Sequence, residues 1–148
     1  MESLLAAVIL AMAIGAIVIP FATGAQTTAQ DTRMTVAVNL AQDLMEEILA
    51  KSCLDPNGTE VGENGRSTWD DMKDYNNLVE LPGFIKSLDG SSVTDAAAAN
   101  MTRKAFVMDD WVSGQDTAHP ANFQRVVVEV YSNWALVVRL SRLVYMGT

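Results

Sequence analysis

From Ser3 to Gln30 the chain carries no charged residue, and the stretch Glu2–Ala22, "ESLLAAVILAMAIGAIVIPFA", is almost wholly apolar. About 20 such residues suffice to cross the hydrocarbon core of a bilayer, so the segment is long enough to span one. A secretory signal would have a basic head, a shorter apolar core and a small-residue cleavage site; here the one early charge is the carboxylate of Glu2, and no Lys or Arg precedes Arg33. Whatever the chain becomes, this segment cannot be the surface of a water-soluble domain. With 148 residues in all, roughly 100 remain for a head, enough for one small core.

The periodicity continues beyond Pro20. In "QTTAQDTRMTVAVNLAQDLMEEILAKS" the residues Met34, Val38, Ala41, Met45 and Ile48 recur at spacings of three and four with Leu44 beside them, while Arg33, Asp43, Glu46, Glu47 and Lys51 fall elsewhere. The pattern predicts an amphipathic continuation and a helix over residues 2–52, a rod of roughly 75 Å at 1.5 Å per residue, whose apolar half extends beyond the head. "LDPNGTEVGENGRS" ends it with Pro, Asn and Gly at turn spacing. The expected division is a hydrophobic membrane or filament-core helix over 1–30, an amphipathic helix over 31–53 that packs on the head, and a β-rich head over 54–148.

Between Asp55 and Asp116 the chain reads as loops, with a helical turn at "TDAAAANM" and a strand at "RKAFVM". "FQRVVVEVYSNWALVVRLSRLVY" has two β-branched runs around Ser-Asn, the pattern of an antiparallel hairpin. Pairing Tyr131 with Ala135 around a loop Ser132–Trp134 puts Val126, Val128 and Val130 on one face with Leu136, Val138 and Leu140; pairing Tyr131 with Trp134 would set Glu129 opposite Leu136. The first arrangement is expected. The fold class is therefore α+β, a long N-terminal helix packed on a small antiparallel sheet.

A glutamate heading an unbroken apolar helix with an internal Gly and Pro, then "NLAQDLMEEILAKS", then a small β-rich head resembles the type IV pilin and type II secretion pseudopilin family, whose helix is of the N-terminally methylated type. The match covers the first fifty residues by motif and the rest by architecture. In that family a short basic leader ending in Gly, then an apolar or aromatic residue, Thr, Leu and another apolar residue precede the Glu; Met1 stands at the last of those positions. The resemblance implies a homo-oligomeric helical filament, residence in the bacterial inner membrane before assembly, pilus-assembly or secretion machinery as partner, and a final location at the cell surface or, for a pseudopilin, in the periplasm. It also implies that Glu2 accepts the N-terminal ammonium of a neighbouring subunit.

Physical chemistry gives Glu2 two readings: exposure among headgroups at the end of the span, or a partner within a helical bundle, since an unpaired carboxylate in hydrocarbon costs several kcal/mol. Ala6, Ala7, Ala11, Ala13, Gly15 and Ala16 permit close helix–helix approach. The expected assembly residues are Glu2, Leu4, Leu5, Val8, Gly15, Pro20 and Phe21. In the assembled state the helix should be interrupted between Gly15 and Pro20, because Pro20 lacks an N–H and Gly15 is a weak helix former.

Other chemistry finds less support. Asp55, Asn57 and Thr59 alternate like calcium ligands, but Glu60 and Arg66 stand where the EF-hand pattern needs Gly and Glu. Asp70, Asp71 and Asp74 in "TWDDMKDYNN" are the weak calcium candidates, as some pseudopilin heads carry an acidic loop, although Lys73 intervenes and a solvated turn accounts for them. His119 and Cys53 are the sole residues of their kinds, so no disulfide forms within the chain and no Cys–His metal cluster is evident. Cys53 reads as packing. No serine elbow or phosphate-cradling loop is present, and neither an enzyme nor a cofactor is expected. A net charge of −8 makes nucleic acid an unsuitable partner for the head. Asn57-Gly-Thr59 and Asn100-Met-Thr102 match a glycosylation sequon and mark surface. The second function class is a monomeric, membrane-anchored head that binds a ligand or partner protein.

Overall fold

The structure, a computed structural model, describes residues 2–56, 58, 65–111, 114 and 121–146, with residues 2 and 3 by backbone alone. Helix α1 covers Glu2–Leu49, and four strands follow: β1 Leu78–Glu80, β2 Met101–Asp110, β3 Phe123–Ser132 and β4 Ala135–Tyr145. They form one antiparallel sheet in the order β1-β2-β3-β4. The architecture is the expected α+β arrangement, a long N-terminal helix with its later turns packed on a small antiparallel sheet. Two compact units divide the chain, Met1–Met34 and Thr35–Thr148.

Within the second unit the core lies between the end of α1 and one sheet face. Ala37, Leu40, Ala41, Leu44, Met45 and Ile48 meet Met101, Ala105 and Val107 of β2 and Val126, Val128 and Val130 of β3, all buried. The helical stripe differs from the expected one at its start. Met34 is 47% exposed and Val38 half-buried, while Ala37 and Leu40 take the inward positions. Glu47, expected among the solvated charges, lies buried on the packed face. The helix also stops at Leu49 rather than beyond Ser52. Its last turn tightens as Lys51 N–H donates to Ile48 (3.1 Å), and Ser52 leaves it to form a parallel bridge with Asp71, its carbonyl accepting from Met72 N–H at 2.9 Å. Cys53 is half-buried against the core. In this single chain α1 is helical without a break through Gly15 and Pro20; the expected interruption concerns the assembled state.

The terminal hairpin turns more tightly than expected. Ser132 pairs with Ala135 around a two-residue turn whose members, Asn133 and Trp134, both have left-handed φ (49° and 67°), the requirement of a turn that follows the natural strand twist. Continued without a fault, that register would set Glu129 opposite Val138. A bulge at Val130/Tyr131 restores parity: Val130 faces Val138, Val128 faces Leu140, and Glu129 meets Arg139, with Arg139 Nε donating at 2.7 Å. Leu136 precedes the bulge, pairs with Tyr131 and is exposed, so it does not join the valine face. The strand expected at "RKAFVM" runs Met101–Asp110, and the turn at "TDAAAANM" is a 3-10 helix over Ala96–Ala98 whose Asp95 side chain accepts from Ala97 N–H.

Because α1 supplies six of the sixteen core residues, a fragment covering Thr35–Thr148 should fold, whereas one covering 54–148 should not. Leu44→Ala should cost about 2–5 kcal/mol in denaturant titrations of the longer fragment. A cooperative melt of the shorter fragment at the temperature of the longer one would show that the helix is not part of the core.

Candidate functional site

Two features merit attention, each within its own unit. The first is the surface of residues 4–30. Leu4, Leu5, Val8, Pro20 and Phe21 are exposed and Gly15 is half-exposed; Leu4, Leu5 and Val8 lie within two turns, and the rest are spread along the helix rather than gathered into a pocket. The side chain of Glu2 lies outside the described residues. An 18-residue window of α1 has a mean hydropathy of 2.8 with none of it buried, which makes this a helix long and apolar enough to cross a membrane. Apolar residues on every side suit a helix surrounded by lipid or by other helices.

The polar stretch that follows satisfies its own hydroxyl groups. Thr23, Thr27, Thr28 and Thr32 each donate a hydroxyl hydrogen bond to the carbonyl four residues earlier, at 2.9–3.0 Å. These hydroxyls have their hydrogen bonds made within the helix and need no water, whereas the exposed Gln26, Gln30, Asp31 and Arg33 among and beside them remain polar or charged. The acceptor is the backbone carbonyl that any helix places four residues earlier, so threonines inside a segment read as helix were the available signal. Beside them Pro20, Phe21, Gly24 and Ala25 line a shallow concavity of ≈ 380 Å³. Neither Gly15 nor Gly24 has a left-handed φ, and a Cβ at either would meet nothing within 4 Å. The chain's own fold requires neither glycine.

The second feature is a buried charge network in the head. Arg103, on the inner face of β2 and 1% exposed, donates to Glu80 Oε2 (2.6 Å), to the carbonyl of Leu40 in α1 (2.9 Å) and to that of Lys86 (2.6 Å). Arg66 forks between Glu47 and Glu80, its Nε donating to Glu47 Oε1 at 2.6 Å and its Nη1 to Glu80 Oε1 at 2.6 Å. Tyr75 donates its hydroxyl to Glu47 Oε1 at 2.8 Å and packs edge-on against Trp69. Burial pushes the Glu47 carboxyl up, but hydrogen bonds from Arg66 and Tyr75 and the two guanidiniums outweigh it and hold it below the usual range. Burial and the Glu47 carboxylate raise the Tyr75 phenol well above its ordinary value. Two cations and two anions balance here, leaving no spare charge for a ligand. Only partners 19 and 28 residues from Glu47 make its burial tolerable, and no local pattern reveals them.

Two of the calcium candidates, Asp71 and Asp74, bond their carboxylates within their own turn, which Asp70 joins through its N–H. Asp74 Oδ2 accepts from the N–H groups of Asp70 and Asp71 (3.0 and 3.1 Å), and Asp71 Oδ1 from those of Lys73 and Asp74 (2.6 and 3.1 Å). Burial raises the Asp71 carboxyl despite those donors. Among the described residues no cluster of three or more His, Cys, Asp or Glu is placed to hold a metal ion. Asn57, Thr59, Glu60 and His119 lie outside the described residues. Asn100 is exposed, and Thr102 is buried in β2. Compared with protein-family models, curated proteins and solved structures, the chain matches none.

A lowered folded-state pKa at Glu47 means its contribution to stability is complete above the unfolded-state value and is lost as pH falls through the folded one. Thermal melts of Thr35–Thr148 should therefore drop in midpoint as pH falls below about 4.5, and Glu47→Gln should flatten that part of the profile. Glu80→Gln, which strips Arg103 of its carboxylate, should cost about 3–5 kcal/mol at neutral pH.

Proposed function

We propose that this protein is a structural subunit, a pilin or pseudopilin, that polymerises through its N-terminal helix into a type IV pilus-like filament. It waits as a membrane-anchored monomer in the bacterial inner membrane and passes, through pilus-assembly or secretion machinery, into a cell-surface or periplasmic fibre. The observation that carries this reading is an uncharged helix, apolar on all sides over residues 4–21, headed by a carboxylate and continuous with the helix that completes the head's core.

A monomeric anchored head would need the same hydrophobic length, and the membrane-crossing capacity of α1 supports both readings equally. Three further features favour assembly. Gly15 and Gly24 weaken the helix by about 1 kcal/mol each relative to Ala without serving the chain's own packing, whereas a neighbouring helix could use the close approach they allow. The threonines between residues 23 and 32 have their hydroxyls satisfied internally, which suits packing among helices beyond the apolar span. Glu2 at the head of the run matches a partner ammonium from a second copy, a contact that would fix axial register. The structural role leaves no catalytic function to assign.

Shearing cells and imaging the released material decides between the two readings: intact protein in filaments supports assembly, and a monomer confined to the membrane fraction contradicts it. Glu2→Ala should reduce filament yield by about tenfold or more, as expected for breaking a poorly screened ion pair, while leaving membrane insertion intact. Wild-type yield from that variant would falsify the assigned role of Glu2. Gly24→Ala should leave the head's melting temperature unchanged and shorten or abolish filaments.

A further inference from the structure

Beside the buried charge network the head has a cavity of ≈ 460 Å³, lined by the end of α1, the chain at Arg66 and the loop after β1. Arg66 and Glu47 belong to its lining, and their charges are spent on each other and on Glu80. The network is neutral as a whole, so the lysines at its rim decide what the cavity presents. Lys51, just past α1, donates its ammonium to the carbonyl of Trp69 at 2.6 Å. Lys86 is held through its backbone, whose carbonyl accepts from Arg103 at 2.6 Å, while its ammonium is exposed. Neither ammonium has a carboxylate partner among the described residues. The remaining acid of the lining, Asp89, turns Oδ1 to Ser91, accepting from its N–H at 2.9 Å and its hydroxyl at 2.6 Å. In a chain where acids outnumber Lys and Arg 18 to 10, two unpaired lysines in one cavity are not a by-product of composition.

What the lining still has to give is a set of donors. Besides the two ammoniums, the hydroxyls of Ser67 and Ser87 make no hydrogen bond among the described residues. The planar fork of Arg66, which matches a carboxylate, is already filled by Glu47. Separate point donors remain, and these suit a tetrahedral anion with several oxygens better than a flat one. Two like charges in one cavity repel until an anion lies between them. Leu88 is the one large apolar side chain of the lining, which calls for a polar ligand. The volume falls in the range of small-molecule sites, about 300–1,000 Å³, and leaves room for more than a bare ion.

We propose that this cavity binds the phosphoryl group of a small phosphate monoester, with Lys51 and Lys86 as its counter-ions and Ser67 and Ser87 as hydroxyl donors. Lys51 is the fixed partner, since Trp69 already places its ammonium and leaves two of its N–H groups to give. Lys86, whose ammonium makes no bond of its own, supplies the second charge. The site lies within the head, so it depends on neither reading of α1.

Phosphorus NMR titrations of glycerol phosphate into the full chain, held in an uncharged detergent at neutral pH and physiological chloride, test the site. Saturable binding is expected. Lys86→Gln and Lys51→Gln should each weaken it about tenfold, the scale of a lost charge-assisted hydrogen bond. Lys104→Gln, which removes the same charge from a residue that lies over Tyr131 and does not line the cavity, should leave it unchanged. Because the Lys86 side chain makes no bond in the head, its replacement should also leave the melting temperature unchanged, which separates lost binding from lost fold. Dimethyl phosphate, a diester with a single charge, should compete poorly. Absence of saturable binding overturns the proposal, and so does an equal loss in Lys104→Gln, which would reduce the effect to general charge. Equal competition by dimethyl phosphate overturns it as well, since the phosphodiester of a lipid would then serve equally. Binding that appears only after Glu60→Gln and Glu63→Gln does the same, because acids of the chain itself would then be the counter-ions.

Discussion

Arg103 places a permanent positive charge in the centre of the sheet face that α1 covers, and much of the head is arranged to make that tolerable. A guanidinium does not neutralise by losing its proton, so burial at 1% exposure demands a carboxylate and acceptors for its remaining donors. Glu80 stands directly opposite in the β1–β2 register and supplies the carboxylate. Leu40 of the helix and Lys86 of the loop after β1 supply carbonyls. One side chain thereby ties together β2, β1, the following loop and α1. Glu80 in turn engages Arg66, which engages Glu47, which accepts from Tyr75. Such a network adds less stability than an apolar core of equal volume would, but it resists sliding: a helix shifted by a turn would take the Leu40 carbonyl from Arg103 and carry Glu47 away from Arg66 and Tyr75.

What could be read from the sequence follows from the range over which each signal acts. Helix α1 was legible because an uninterrupted apolar run leads into a local, repeated periodicity, and β3 and β4 because β-branched runs declare themselves; β2, with only Thr102 and Val107 of that kind, was read over its middle, "RKAFVM", alone. The short β1, "LVE", has too few residues to show alternation, and Glu80 within it looks like a surface charge until Arg103 is set opposite. Glu47 was misplaced for the same reason. The hairpin shows a subtler limit. Its parity was correctly inferred from the demand that Val126, Val128 and Val130 share a face with Val138 and Leu140, yet the loop was not, since a tight turn followed by a bulge gives the same parity as a wider loop. Parity is a tertiary demand, and more than one local geometry meets it.

Of the candidate assembly surface, the apolar span and its small residues were legible, being a matter of composition. The internal satisfaction of four threonine hydroxyls was legible in principle once residues 23–32 were read as helix, because the acceptor is the main-chain carbonyl four residues earlier. The significance of Gly24 was not, because a glycine's purpose is known only once the space around it is known. Around Gly15 and Gly24 that space is empty and the backbone ordinary. A residue that weakens its own helix and serves nothing within the subunit is a stronger pointer to an outside contact than any apolar side chain, which the membrane alone would explain.

On the proposed filament reading the apolar helix has to be stable in two solvents in succession, and its composition would be a compromise between them. Leu, Ile and Val give it hydrocarbon affinity sufficient to hold a monomer in the bilayer. A helix made only of those residues would gain little by leaving, because lipid tails match their surface as well as another helix does. Alanine and glycine tip the balance: backbones brought close at such positions gain dispersion contacts that flexible tails do not reproduce, and hydroxyls already bonded to their own carbonyls exact no desolvation penalty on transfer. A lone carboxylate at the head of the helix works in the same direction. It is disfavoured by hydrocarbon and favoured wherever a second copy presents an ammonium, so the feature least compatible with a passive anchor becomes, on the proposed reading, the one that draws the subunit out of the membrane and sets its register in the fibre.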